Sequence, residues 1–152
     1  MRKISVLLAT LGLVIAGALF PVSAQASAAC DTAWRNGTSG HFAAFDYINC
    51  AGKLGSSTGN DSSWSDSAGG FRGTDGNKAH SLLHRGTSGM AVKVYTGVSY
   101  RGNWGCIKQS EFYVSNLNDD YLTGGSGSYR ASNSISSHKW VWNSDCGTSF
   151  LH

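Results

Sequence analysis

An antiparallel β sandwich or barrel, an all-β architecture, is the fold class that the sequence predicts. Apolar and polar residues alternate in the short runs Met90–Tyr95, Glu111–Val114 and Lys139–Trp142, as they do in strands with one buried face. Clusters of Gly, Ser, Asn and Asp separate such runs at roughly ten-residue spacing, and the chain has only 1 proline. After the N-terminal segment no helical apolar period is sustained, and Ala79–His84 would form one helical turn at most.

Residues 1–28 have the three-part pattern of a secretory signal peptide. A short basic start precedes the apolar run Ile4–Phe20, and two A-x-A cleavage sites follow within residues 24–28. We therefore predict a secreted, extracellular protein with a single domain over residues 29–152 and no membrane association after cleavage. A retained membrane anchor and a lipidated Cys30 are the alternatives that this pattern leaves open.

Four cysteines lie in the predicted mature chain, and an even number in an oxidising compartment indicates two disulfides. Three connectivities are possible. We favour Cys30–Cys50 and Cys106–Cys146, because each bridge then lies within one half of the chain. A four-cysteine zinc site is the competing interpretation, but the sequence has no C-x-x-C spacing.

The charge pattern excludes several classes of function. The net charge of +3 includes Arg2 and Lys3, so the mature chain is close to neutral and has no electrostatic footprint for nucleic acid or anionic lipid. Glu111 is the only glutamate, which rules out a catalytic pair of glutamates. No third ligand accompanies His80 and His84 in a zinc-like pair. We expect a monomeric protein that is not an enzyme.

A comparison of the sequence with itself shows an internal repeat. Phe45–Gly52 can be laid on Tyr95–Gly102 at an offset of 50 residues, and Gly76–Ser81 on Ser132–Ser137 at an offset of 56. The second segment, Tyr95–Gly102, has an aromatic residue, four further residues and then aromatic-x-Gly, a pattern that suits a strand that folds back in a tight hairpin. The later Asn and Ser side chains suit a loop that is tied to that hairpin by hydrogen bonds. The two halves therefore read as one supersecondary unit used twice.

These segments resemble the βγ-crystallin Greek-key motif. Tyr95–Gly102 fits its aromatic-x-x-x-x-aromatic-x-Gly signature, and Ser132–Ser137 fits most of the later Asn/Asp-Asn/Asp-x-x-Ser/Thr-Ser signature. The first half departs from the pattern at Cys50, Gly76 and His80. With the signal peptide and the four cysteines, the chain resembles the secreted actinobacterial metalloproteinase inhibitors that have a crystallin-like fold.

The resemblance implies a disulfide-stabilised sandwich of two Greek keys, about residues 41–86 and 90–143. It also implies a peptidase inhibitor that blocks an extracellular, thermolysin-like metalloprotease by placing a loop in its cleft. The alternatives are a non-inhibitory calcium-binding or cell-surface module, and a toxin-like or carbohydrate-binding protein of the same fold. The five tryptophans could form a sugar-binding surface, although burial is the ordinary expectation for most of them.

The candidate inhibitory loop is the segment that contains Trp104, Cys106 and Ile107. Thermolysin-like enzymes prefer a large apolar residue after the scissile bond, and Ile107 follows a cysteine that a disulfide would anchor. The hypothesis is that Cys106–Ile107 is the contact bond. The alternative is that Ile107 begins a core strand and Trp104 only packs against it.

A calcium site is the second candidate that the resemblance implies. The ligands would be Asn133, Ser134 through its backbone carbonyl, and Ser136. Hard cations favour carboxylates, and neither loop core has one, while His80 takes a position where the motif has Ser or Thr. We therefore expect calcium binding to be absent or weak, and no other cofactor.

Overall fold

The computed structural model describes residues 22–152 of the chain. The predicted signal peptide therefore lies largely outside the described residues. Within the described part, no helix is long and apolar enough to cross a membrane.

The described residues form one helix and nine short strands. The helix α1 is Val22–Asn36, and the strands in chain order are β1 Phe42–Phe45, β2 Lys53–Ser57, β3 Ser81–His84, β4 Ala91–Gly97, β5 Arg101–Ile107, β6 Tyr113–Val114, β7 Tyr121–Leu122, β8 Tyr129–Arg130 and β9 Ser137–Val141. Short 3₁₀ turns lie at residues 98–100, 109–111 and 143–146.

Two antiparallel sheets are built from these strands. The first has the order β2–β1–β3–β6 and the second the order β5–β4–β9, while β7 and β8 form a separate ribbon. Strand β6 comes from the second half of the chain but pairs with β3 of the first half. In the reverse direction, Asp61 of the first half forms an antiparallel bridge with His138 on β9. Each half therefore extends the sheet of the other, which joins the halves into one domain.

The core lies between the two sheets, because both contribute buried apolar residues to one cluster. On β1 the side chains alternate: Phe42 and Ala44 face this core, whereas Ala43 and Phe45 pack in a second cluster with Trp34 of α1. The central cluster consists of Phe42, Ala44, Trp64, Phe71, Ala79, Leu82, Val92, Val94, Ile107, Val114, Leu117, Leu122, Ala131, Ile135 and Leu151.

Three strand predictions can be compared with the structure. The run Met90–Tyr95 lies almost wholly in β4, and Lys139–Trp142 overlaps β9. The prediction for Glu111–Val114 is partly wrong, because the strand begins only at Tyr113. Phe112 has a φ of 63°, which is incompatible with extended backbone, so Glu111 and Phe112 do not belong to the strand.

The expectation of an essentially helix-free mature chain is wrong. Helix α1 continues to Asn36, and Cys30, Ala33 and Trp34 lie on one face that packs on the outer side of the first sheet. Their spacing of three and four residues is helical, but three residues are too few to stand out in a sequence. Ala79–His84, expected to form one helical turn at most, forms none, since β3 starts at Ser81.

The disulfides join Cys30 to Cys50 and Cys106 to Cys146, which is the favoured pairing. The first ties α1 to the β1–β2 hairpin. The second ties β5 to the 3₁₀ turn that follows β9. Both bridges therefore fix a peripheral segment to a sheet.

Candidate functional site

A serine clasp holds each of the two hairpins. The Ser137 hydroxyl donates to the carbonyl of Gly97 at 2.6 Å and accepts a hydrogen bond from the Tyr100 backbone N–H at 3.2 Å. The Ser81 hydroxyl donates to the carbonyl of Tyr47 at 2.7 Å and accepts from the Cys50 N–H at 3.0 Å. The two halves thus use the same interaction at corresponding positions.

The backbone of the two hairpins is matched as well. Cys50 and Tyr100 both have positive φ, at 57° and 59°, and so do Gly52 and Gly102, at 65° and 82°. A side chain is disfavoured in this left-handed region, which explains glycine at the end of each signature. The duplication inferred from the sequence is therefore present in the geometry.

The two later loops, residues 76–81 and 132–137, bind each other reciprocally. The Asn77 N–H donates to the Ile135 carbonyl at 2.8 Å, and the Asn133 N–H donates to the Ala79 carbonyl at 3.0 Å. The Ser136 hydroxyl donates to Oδ1 of Asn77 at 3.0 Å. These contacts bring together the loops that carry the predicted calcium ligands.

The donor set in these loops does not suit a calcium ion. Asn133 Nδ2 lies 3.1 Å from His80 Nε2, and His80 Nδ1 lies 3.0 Å from the Lys78 carbonyl. With the proton on Nδ1, the imidazole donates to that carbonyl and accepts from the Asn133 amide. Neither loop sequence contains a carboxylate, and calcium sites rely on carboxylate oxygens.

Two of the side chains in these loops also donate hydrogen bonds to the protein. The Ser136 hydroxyl donates to Asn77, and the Ser134 hydroxyl lies 2.8 Å from the carbonyls of both Arg130 and Ala131. A cation here would gain no charged ligand. Asn133 and Ser136 link the two loops, whereas the Ser134 hydroxyl bonds within its own segment.

The inhibitory-loop prediction requires a correction. Cys106 and Ile107 lie on β5 and are fully buried, and Ile107 belongs to the central core cluster. Trp104 is half-buried, with the Lys93 ammonium 3.3 Å from its ring centroid. The Cys106–Ile107 bond therefore cannot enter a protease cleft in the folded protein. The alternative, in which Ile107 lies in a core strand, is the one that the structure supports.

The disulfide of Cys106 nevertheless anchors an exposed loop through its partner, Cys146. Between the buried Val141 and the buried Cys146, the four residues Trp142–Asp145 are all exposed, and Trp142 has 63% of its surface accessible. Sequence analysis placed Trp142 at the end of a strand and missed this loop. The available signal was the polar turn sequence Asn-Ser-Asp between the tryptophan and the cysteine.

Hydrogen bonds fix the backbone of this loop, which we call the Trp142 loop. The Trp142 N–H donates to Oδ2 of Asp145 at 3.1 Å, and the Asp145 N–H donates to the Trp142 carbonyl at 2.9 Å. The Lys93 ammonium donates to the Asp145 carbonyl at 2.9 Å. These bonds connect the first and last residues of the loop to each other, and the last residue to Lys93 on β4.

Two of the histidines, His84 and His138, are buried in the fold. His138 is fully buried, accepts a hydrogen bond from Trp64 Nε1 at 2.9 Å, and approaches the Gly59 carbonyl at 3.0 Å through Nε2. Burial lowers the pKa of His138 to about 4 and lowers that of His84 below its ordinary value. Across residues 22–152, no group of three or more His, Cys, Asp or Glu side chains is placed to hold a metal ion.

Comparison with known proteins gives one structural relative and no sequence relative. No family model and no curated protein matches the chain. A solved structure described as "Evolution of the eye lens beta-gamma-crystallin domain fold" superposes with a TM-score of 0.53 at 14% sequence identity, covering 70% of this chain and 90% of that one. With the paired hairpins, clasps and exchanged strands, this similarity shows that the chain has the βγ-crystallin fold.

Proposed function

We propose that this βγ-crystallin-fold protein is a secreted peptidase inhibitor that places the Trp142 loop in the cleft of an extracellular, thermolysin-like metalloprotease. It acts by binding, as a monomer, and has no chemistry or cofactor of its own. The observation that carries the proposal is the exposure of Trp142 on a loop that a disulfide anchors.

The rigidity of the loop supports this role. An inhibitor loses affinity when a mobile loop must be ordered on binding, at roughly 0.5–1.5 kcal/mol for each flexible side chain that is immobilised. Here the hydrogen bonds between Trp142 and Asp145, the bond from Lys93 and the Cys106–Cys146 bridge fix the backbone beforehand. Binding would then require little further ordering.

The chemistry of the loop supports the same partner. Tryptophan is enriched among the residues that contribute most to protein–protein affinity, because it buries a large apolar area when it fills a pocket. Thermolysin-like proteases have a pocket for a large apolar side chain next to their zinc ion. Trp142 is the large apolar group that this loop can present to such a pocket.

The expected location also agrees with this partner. The apolar N-terminal run and the A-x-A sites predict export. Two disulfides are compatible with an oxidising, extracellular environment. An exported inhibitor would meet exported proteases.

The test is an inhibition titration of the purified mature protein. We expect stoichiometric loss of activity of a thermolysin-type enzyme and no effect on a serine protease. Trp142→Ala should weaken inhibition by about thirtyfold, which corresponds to a hot-spot loss of about 2 kcal/mol. The matched control is Tyr129→Ala, which removes another exposed aromatic side chain, 56% accessible on β8.

Two outcomes would overturn the proposal. One is the absence of inhibition by the wild-type protein across several thermolysin-type enzymes. The other is equal inhibition by wild-type and Trp142→Ala proteins, which would remove the loop from the mechanism. Thermal melts of both variants establish that the comparison is between folded proteins.

A further inference from the structure

Two cavities lie beside the connection between the two halves of the chain, and Gly86 borders both of them. On one side is a cavity of about 490 Å³ that Trp140, Asn60 and Thr87 help to line. On the other is a cavity of about 360 Å³ that Trp34 and Phe112 help to line. Gly86 lines both, so we treat the two cavities as one feature and call it the connection groove.

The aromatic ring on the first side of the groove is fixed in place. Trp140 donates through Nε1 to the Gly59 carbonyl at 3.2 Å, and its backbone N–H donates to Oδ1 of Asn60 at 2.9 Å. Its ring meets the His84 ring edge-on at 5.1 Å. A side chain at Gly86 would bring its Cβ within 2.5 Å of both rings, so glycine is needed for this packing.

The aromatic rings on the second side are fixed as well. Trp34 donates through Nε1 to the His84 carbonyl at 3.1 Å, and the Arg85 guanidinium lies 4.3 Å from its ring centroid. Phe112 meets Trp34 edge-on at 5.0 Å and has a φ of 63°, which is unusual for a bulky residue. Such strained positions cluster at binding sites. The groove is therefore flanked by preorganised aromatic rings at both ends.

The polar groups of the groove are uncharged with one exception. Hydroxyl and amide side chains line it, among them those of Thr87, Gln109 and Asn143. Among the described residues that line the two cavities, Lys108 is the one charged side chain, and its ammonium lies 4.0 Å from the Phe150 ring centroid. No carboxylate is present there to attract a cation, and a single lysine does not favour a polyanion.

We infer that the connection groove binds a short neutral oligosaccharide. A pyranose ring has an apolar face of C–H groups that stacks on an aromatic ring, and a rim of hydroxyls that pair with amides and hydroxyls. Fixed aromatic rings with uncharged hydrogen-bonding groups around Gly86 match both features. A nucleic acid would require more positive charge than this groove offers.

The test is isothermal titration of the mature protein with cellopentaose, chitopentaose and maltopentaose. We expect saturable binding of at least one of them. Thr87 is exposed, so Thr87→Arg should fill the larger cavity without disturbing the core and weaken binding by about tenfold or more. Tyr129→Ala, outside the groove, should bind like the wild type.

A second variant, Trp140→Ala, should abolish saccharide binding. A thermal melt verifies that this variant is folded. If it is unfolded, the result for Thr87→Arg alone tests the inference. The inference is overturned if none of the three saccharides binds, or if Thr87→Arg leaves binding intact. Binding of a neutral hexapeptide of Gly, Ser and Tyr in place of the saccharides would also overturn it. Protease inhibition is measured separately, and Thr87→Arg should leave it unchanged, so this inference and the proposed function can fail independently.

Discussion

Ser81 and Ser137 make the same two hydrogen bonds, one pair in each half of the molecule. Both hydroxyls are buried and close a hairpin onto the strand that follows much later in the chain. This relationship explains why a serine stands at the end of each repeated signature. It also explains how one sequence unit, used twice, folds into two interlocked halves.

Replacing either serine by alanine should destabilise the protein by about 1–3 kcal/mol, because two hydrogen bonds to backbone groups are lost, each worth about 0.5–1.5 kcal/mol. The two hydroxyls share no hydrogen-bond partner, so the double variant should show nearly the sum of the single effects. Urea unfolding measures these changes. The exposed Ser67→Ala is the control, and it should change stability by less than about 0.5 kcal/mol.

Stability should fall with acidification because of His138. Burial lowers its pKa in the folded state to about 4, whereas the unfolded chain has the ordinary value of 6.5. Between these values the unfolded state binds more protons, so the stabilising effect is complete above about pH 6.5 and is lost as the pH falls towards 4. The shift corresponds to about 3 kcal/mol. The lowered pKa of His84 acts in the same direction.

The measurement is urea unfolding from pH 4 to pH 8 for wild type and His138→Gln. Glutamine can still donate to the Gly59 carbonyl and accept from Trp64 but does not titrate in this range. The variant should therefore have a flatter pH dependence of the free energy of unfolding. Parallel curves for the two proteins would contradict the assignment of this effect to His138.

Calcium should leave the melting temperature unchanged. The loops that carry the candidate ligands contain no carboxylate, so a calcium ion would gain no charged ligand there. A ligand present at a hundred times its Kd would add about 2.7 kcal/mol and raise the melting temperature by several degrees. Thermal melts with millimolar calcium and with chelator make the comparison. A clear increase with calcium would contradict this prediction.

The sequence could predict the repeat because its signals are local. Positive φ at Gly52 and Gly102 and a buried hydroxyl at Ser81 and Ser137 each require a particular residue type, so they leave a pattern that a reader can find. The disulfide pairing could be predicted for a similar reason. In the observed pairing both cysteines of each bridge lie in the same half of the chain.

The failures came from residues whose role depends on distant packing. Gly105 lies within the segment that was predicted to be an inhibitory loop, but it is a buried strand position where a Cβ would lie 3.0 Å from Leu122 and 3.1 Å from Leu151. The glycine makes room for the core rather than bending the chain. Helix α1 was missed for a related reason, since only contact with the first sheet shows which of its residues are buried.

Ile107 should behave as a core residue and not as a contact residue. Ile107→Ala should destabilise the protein by about 2–5 kcal/mol, since it leaves a cavity between the sheets. Ile107→Val should cost only about 0.5–1.5 kcal/mol and leave inhibition of a thermolysin-type protease unchanged. A selective loss of inhibition in a stable Ile107→Val protein would return this residue to the binding surface.

The two disulfides should be separable by function although both stabilise the fold. Replacing Cys106 and Cys146 by alanine opens a loop of 40 residues and should cost about 4 kcal/mol, while the same change at Cys30 and Cys50 opens one of 20 residues and should cost about 3 kcal/mol. Only the Cys106–Cys146 bridge holds the Trp142 loop. Only the removal of that bridge should therefore weaken inhibition, measured on folded protein at low temperature. The double variant at Cys30 and Cys50 is thus the matched control for lost stability. Equal inhibition by both would mean that the anchor contributes nothing to binding, and that the hydrogen bonds between Trp142 and Asp145 are enough to keep the loop in its bound shape.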